Sequence, residues 1–336
     1  MKKLSALLAV FICAFSLVGC NTAVEVSFVG MDRVLLNHDW ERCVYSAEIS
    51  NGKTSEEKIV YTDGGSSEME LTLTKQSDGT AEIEMKLTLA FEKTPPYARH
   101  TGEAWRNLSA EEQENAYNGL TDKITSKVVI NGATNEPIYV EKNIELETSK
   151  AYDETDKSLS MNFTYSGETA GKGGFMRVGG EEQNFSIRQR TLRNAFDNEQ
   201  IYYMISAFMR GTIDPTTLET ALGYAKQYKI FNLADYCVYG KGPASLTFSV
   251  GETKLGGYEN IAVPANTAEV TVSFSQGQPL IMRYSLGNLI LIGGTETPLA
   301  NKHVMLGYKQ SIRDGLSSVI AETSYVLKGY SSGKLV

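Results

Sequence analysis

Strict alternation of apolar and polar residues limits the folds open to this chain more than any other feature. Met69, Leu71 and Leu73, and then Ala81, Ile83, Met85, Leu87, Leu89 and Phe91, are each separated by a mostly polar neighbour. A period of two sends every second side chain to the same face, so each stretch reads as a strand with one face buried and the other in water. Val24, Val26 and Phe28 carry the same pattern, and further strand-like runs lie at 127–130, 138–146, 159–165 and 185–189. Asp78-Gly79 and Asn131-Gly132 are hairpin signals, because two-residue turns need the positive φ that Gly and Asn tolerate.

After residue 195 the period changes. Ile201, Met204, Ile205, Phe208 and Met209 are spaced as one stripe of a helix. Asp197 with Gln200 reads as a cap and its reciprocal partner, and Arg210-Gly211 reads as the end. Asp214-Pro215 opens a second helix, which runs through Leu218, Ala221, Leu222 and Ala225 to Tyr228. A short helix is expected over 110–119, behind Ser109, with Glu111 and Glu112 at its positive end. Strands resume at 246–250, 269–274, 280–284, 289–292, 304–308 and 319–327.

Long antiparallel runs with few βαβ units predict an α+β, mostly antiparallel β class. The expected architecture is a curved, half-barrel-like sheet covered by the helical hairpin of 197–228. The predicted organisation is a signal peptide over 1–19, a lipidated cysteine and tether over 20–26, and a single β-rich domain over 27–336. Two β blocks, 27–195 and 240–336, flanking the helices are the alternative division.

Residues 197–203, Asp-Asn-Glu-Gln-Ile-Tyr-Tyr, with Arg210, then Val263-Pro264-Ala265-Asn266-Thr267 and Met305-Leu306-Gly307-Tyr308-Lys309-Gln310, carry a resemblance. The arrangement resembles the half-barrel of periplasmic lipoprotein carriers of the LolA type. It is also similar to a family of uncharacterised envelope proteins in which a helix beginning Asp-x-Glu precedes a strand block with a Val-Pro-Ala-Gly-Thr-like turn. The likeness covers mainly residues 185–310 and implies fold more than function.

Lys2 and Lys3 precede an apolar stretch from Leu4 to Phe15. That stretch suits a secretory signal better than a membrane span of about 20 residues. Leu17-Val18-Gly19-Cys20 resembles the lipobox of bacterial lipoproteins, which implies that Cys20 becomes the first mature residue and carries palmitate-type acyl chains. Asn21 in place of Asp implies outer-membrane sorting where the cell has an outer membrane. The expected address is therefore the outer face of the cell membrane or the outer membrane, held by lipid. Loss of Lys2 and Lys3 takes the formal net charge from −8 to −10, which argues against nucleic acid as a partner.

Catalytic motifs are missing. His38, His100 and His303 lie far apart without metal-ligand spacing, so no metal is expected. No nucleophile elbow is expected, and with so few histidines nucleophilic constellations lack a placed base. Gly171-Lys172-Gly173-Gly174 and Gly179-Gly180 lack the context of a phosphate loop and read as hairpin turns. The chain is read as a non-enzyme without cofactor. Cys43 and Cys237 remain after processing, and either one disulfide or two separate buried thiols fits the sequence.

The leading expectation is a membrane-anchored protein that holds a lipid-like or other hydrophobic small molecule between sheet and helices, against Ile201, Tyr202, Met204, Ile205, Phe208 and Met209. The alternative is a structural lipoprotein acting through protein or carbohydrate contacts. For that role the loop carrying Tyr97, Arg99 and Trp105 is the candidate surface, since it gathers rings and cations after the longest strand.

Overall fold

The computed structural model describes residues 35, 38–51, 62–93, 106–115, 118–148, 158–166, 174–178, 181–192, 195–211, 229–251, 267–275, 279–313 and 319–335. The strands of the first half are β1 (Trp40–Asn51), β2 (Thr62–Asp63), β3 (Glu68–Lys75), β4 (Thr80–Lys93), β5 (Thr121–Asn131), β6 (Pro137–Leu146), β7 (Leu159–Thr164), β8 (Gly174–Val178) and β9 (Glu181–Phe185). Those of the second half are β10 (Ala195–Asp197), β11 (Lys229–Phe231), β12 (Ala244–Gly251), β13 (Thr267–Phe274), β14 (Leu280–Ser285), β15 (Leu289–Ile292), β16 (Thr295–Pro298), β17 (Met305–Arg313) and β18 (Val319–Gly333). The helices are α1 (Ala110–Asn115), α2 (Gln189–Leu192), α3 (Ile201–Gly211) and α4 (Leu233–Tyr239), with a 3-10 turn at Asn198–Gln200 leading into α3.

One 16-stranded sheet runs β10-β11-β12-β13-β14-β17-β18-β1-β3-β4-β5-β6-β7-β8-β9, with β2 paired to β4; β15 and β16 form a separate hairpin. Only β10 and β11 pair in parallel; the other pairings are antiparallel. The expected mostly antiparallel β class holds. Alternation explains the register: in β3 and β4, Met69 faces Leu87, Leu71 faces Met85 and Leu73 faces Ile83, and all six side chains are buried.

Strand β1 joins the two halves, pairing with β18 on one side and β3 on the other. Its inward residues Cys43, Tyr45, Ala47 and Ile49 are buried, yet none is a bulky aliphatic except Ile49, so hydrophobic alternation alone passes over it. Two further strands, β8 and β9, replace the expected run at 185–189. Phe185 ends β9 and Gln189 begins α2, and residues 186–188 between them form no strand.

The sheet does not close through backbone pairing, but its two edges meet through side chains. Phe163 of β7 stacks on Phe185 of β9 with centroids 5.6 Å apart, and it packs against Phe231 of β11 at 6.2 Å. Tyr165 meets Phe231 edge-on at 6.1 Å, and Tyr236 of α4 contacts both Phe185 and Phe231. Aromatic pairs of this kind add about 0.5–1.5 kcal/mol each beyond burial, enough to hold a seam where no ladder forms.

Helix α3 sits inside the curled sheet. The expected cap is present in full: the Asp197 carboxylate accepts from Glu199 N, and the Gln200 side chain answers the Asp197 N–H at 2.8 Å. Beyond it Ile201, Tyr203, Met204, Ile205, Ser206 and Ala207 are all buried. Apolar side chains so fully enclosed belong to the core. The first helix of the expected cover is thus present as α3, with Met204 and Ile205 fully buried. Polar ties fix it there, from Ser206 Oγ to His303 O at 2.7 Å and from Tyr284 OH to Tyr202 O at 3.2 Å. The second helix expected from Asp214 to Tyr228 lies outside the described residues. The 110–119 helix is shorter than expected and ends at Asn115, with Ser109 and Glu112 capping each other. Among the described residues no helix is long and apolar enough to cross a membrane.

Candidate ligand-binding cleft and its buried charge cluster

Beside α3 lies a cleft of about 340 Å³. Its wall is apolar and aromatic, made by Ile201 and Tyr202 of α3, Ile230 of β11, Phe274 of β13, Leu280 of β14 and Tyr308 of β17. Asn198, Asn232, Asp235, Lys241 and Gln310 add polar groups to the lining. Asp235 and Lys241 face each other at 3.9 Å with both side chains well exposed.

The aromatic wall is held from behind. The Tyr202 and Tyr308 hydroxyls meet at 3.3 Å, with ring centroids 5.4 Å apart. Tyr308 in turn stacks on Tyr325 of β18 at 4.2 Å and 11°. Burial pushes the hydroxyls of Tyr202, Tyr308 and Tyr284 well above the usual phenol range, and that of Tyr325 to about 12. They stay neutral donors, because an ionised phenolate has no water to stabilise it there.

Next to the cleft, at the sheet seam, lies a buried group of charges. Lys142 of β6 points into the interior, where its Nζ donates to Asp197 Oδ1 at 3.0 Å and to Glu199 Oε2 and Asn198 Oδ1 at 2.5 Å each. Tyr165 OH donates to Asp197 Oδ2 at 2.7 Å. All four ionisable side chains are enclosed. Asn198 belongs to both groups, since it also lines the cleft.

Electrostatics divides the two carboxyls. Desolvation disfavours charge on both, but for Asp197 the Lys142 ammonium and the donors around it prevail and hold its carboxyl below the usual range. Glu199 moves the other way: burial, and then the charge of Asp197, raise it to about 8 against the pull of Lys142. At neutral pH the cluster therefore holds one ammonium, one carboxylate and one neutral carboxyl, so it carries no net charge. That balance is what a buried ion group needs to be tolerated.

The expected ligand residues divide. Ile201 and Tyr202 reach the cleft, whereas Met204 and Ile205 are fully buried and absent from its lining. Phe208 and Met209 fall within α3, but their side chains lie outside the described residues. Tyr97, Arg99 and Trp105 also lie outside the described residues, as do Cys20, the tether and the signal segment.

Cys43 and Cys237 are free thiols in the structure, the first buried and the second partly buried. Cys43 sits in β1 opposite Tyr330 and Leu71, while Cys237 is on α4, where burial pushes its thiol up to about 11 against the pull of the Lys142 charge. Strands of the sheet separate these two neighbourhoods. Among the described residues no group of three or more His, Cys, Asp or Glu is placed to hold a metal.

Sequence reasoning found Asp197 and Gln200 as caps but not the partners that reach them. Lys142 alternates in phase with Val140 and Ile144, so its burial was readable only by asking what a lysine does on an apolar face. Ile230, Phe274, Leu280 and Tyr308 are scattered through the chain, and only the fold assembles them.

No family model matches the chain, and no curated protein does so. Among solved structures it is similar to a β-barrel-like protein of a domain of unknown function, DUF1849, from Brucella abortus. The two share 7% identity over 88% of this chain and 98% of that one, with a TM-score of 0.42.

Proposed function

We propose that the protein is a lipid-anchored envelope protein, attached through Cys20, that binds a small amphipathic or lipid-like molecule in the cleft beside Tyr202. The observation that carries this reading is the unfilled aromatic wall. Tyr202, Tyr308 and Phe274 line open space, although the adjoining core is packed to near-zero exposure. About 340 Å³ lies at the lower end of the ligand-pocket range of roughly 300–1,000 Å³. It suits a compact molecule or one end of a longer chain.

The lining sets the ligand's chemistry. An apolar body lies against Ile201, Ile230 and Leu280, while a hydroxyl, amide or dipolar group meets Asn232, Gln310 and the Asp235–Lys241 pair. The protein acts by holding its ligand, and the neutral tyrosines serve as walls and donors. Native mass spectrometry of the protein released gently from membranes tests this. A bound adduct that organic extraction removes is the expected result; the bare protein mass in every preparation, with no uptake of added lipid, refutes it.

A further inference from the structure

The β15–β16 hairpin stands apart from the main sheet, and its strand β15 is apolar on both sides, while β16 sets Glu296 opposite Leu291. Ile290 is 4% exposed and Ile292 packs on the core, whereas Leu289 and Leu291, which alternate with them, are 49% and 38% exposed. Leu286, just before the hairpin, is also 38% exposed. A surface ribbon ordinarily turns polar residues outward, so large apolar side chains gathered on one ribbon mark a contact surface. Its tip is compact: Ile292 pairs with Thr295, and Gly293 and Gly294 take φ of 56° and 80°, as a two-residue primed turn requires.

Position identifies what the hairpin meets. At its foot Leu299 N donates to Asn288 O, Ala300 N donates to Tyr330 OH, and Asn301 Nδ2 lies 3.2 Å from His38 Nδ1. His38 and Asp39 are where the chain coming from Cys20 enters β1. Asp39 accepts from Leu335 N at 3.1 Å and lies 3.7 Å from Lys334 Nζ; Leu335 is 54% exposed. The exposed leucines and the entry point of the N-terminal segment thus share one end of the molecule. Even fully extended, the segment from Cys20 to His38 reaches only about 60 Å.

We propose that this hairpin is a membrane-contacting finger, in which Leu286, Leu289 and Leu291 enter the outer part of the bilayer that holds Cys20. The exposed Lys302 and Lys334 lie on the same end, at the level of lipid phosphates. The choice of bilayer as occupant rests on the lipid-anchor reading above. A stable protein interface buries about 800 Å² per partner, more than one short ribbon offers. An anchored protein, by contrast, gains lasting membrane contact from a few additional apolar side chains.

Tryptophan placed in the full chain as Leu289→Trp, and as Glu145→Trp at the opposite end of the sheet, tests the finger in vesicles of phosphatidylcholine and phosphatidylglycerol with brominated acyl chains. The expected result is a blue-shifted, quenched signal from position 289 and an unquenched one from position 145, each read against the parent protein. Equal quenching at both positions, or none at 289, overturns the proposal. Acylation of Cys20 is read separately from the intact mass. If Cys20 is bare, the anchor reading falls alone, and Cys20→Ser protein is titrated with the same vesicles. Partitioning that drops on the order of tenfold per leucine changed to serine supports the finger, and partitioning unaffected by those changes overturns it. A concentration-dependent dimer that the serine variants abolish also overturns it, by making a second copy the occupant.

Discussion

Lys142 and Asp197 meet at 3.0 Å in the interior, and the pair ties β6, near one edge of the sheet, to β10 at the other. The ladder never closes between these edges, so this contact and the aromatic seam beside it do what backbone pairing does in a complete barrel. The same pair positions the 3-10 turn from which α3 enters the core.

Removing one member of the pair leaves an uncompensated buried charge. Lys142→Met is expected to cost about 3–5 kcal/mol, read as a lower midpoint in urea denaturation. Lys142→Met combined with Asp197→Asn recovers part of that loss, because neither charge is then stranded. If the double change costs the full sum of the single ones, the two residues do not act as a pair.

Stability is expected to depend on pH through Glu199. Its carboxyl is raised to about 8 in the folded protein from the ordinary 4.5, so across that interval the native state binds more protons than the unfolded chain. The contribution is fully present below about pH 4.5 and is lost as pH rises through about 8, at up to about 1.4 kcal/mol per pH unit. Asp197, held below 3.8, acts in the opposite sense and weakens the fold only as the solution becomes strongly acidic. Glu199→Gln is expected to flatten the decline between pH 5 and 8; an unchanged slope of urea midpoint against pH contradicts the assignment.

Gly307 is required by close approach. A Cβ there would lie 2.2 Å from the carbonyl oxygen of Tyr325, in the strand pair that stacks Tyr308 on Tyr325. Gly307→Ala is therefore expected to push β17 from β18 and cost more than about 2 kcal/mol, with loss of near-ultraviolet circular dichroism from the tyrosine stack. Alanine tolerated without change in thermal midpoint contradicts that packing.

Much of the sheet was legible because its signal is local. Met69 to Leu73 and Ala81 to Phe91 each alternate without interruption, and Asp197 with Gln200 announces the start of α3 by capping chemistry alone. What escaped depends on partners distant in sequence. The inward side chains Cys43, Tyr45 and Ala47 conceal β1 from a hydrophobic count, yet β1 is buried because β18 and β3 lie on either side of it. The stripe of α3 correctly marked a helix, but whether the helix covers a sheet or is enclosed by one is decided by how far sixteen strands curl. Lys142 was overlooked for the same reason: only across the seam do Asp197 and Glu199 come within its reach.

The central claim is that the cleft beside Tyr202 holds an apolar ligand, and a titration with an environment-sensitive fatty-acid probe tests it most directly. Leu280→Arg places a charged chain across the cleft at a half-buried position. The account predicts saturable binding to the parent protein and at least tenfold weaker binding to the variant, with the urea midpoints of the two alike. Equal probe binding by both proteins, or no saturable binding by the parent, contradicts it.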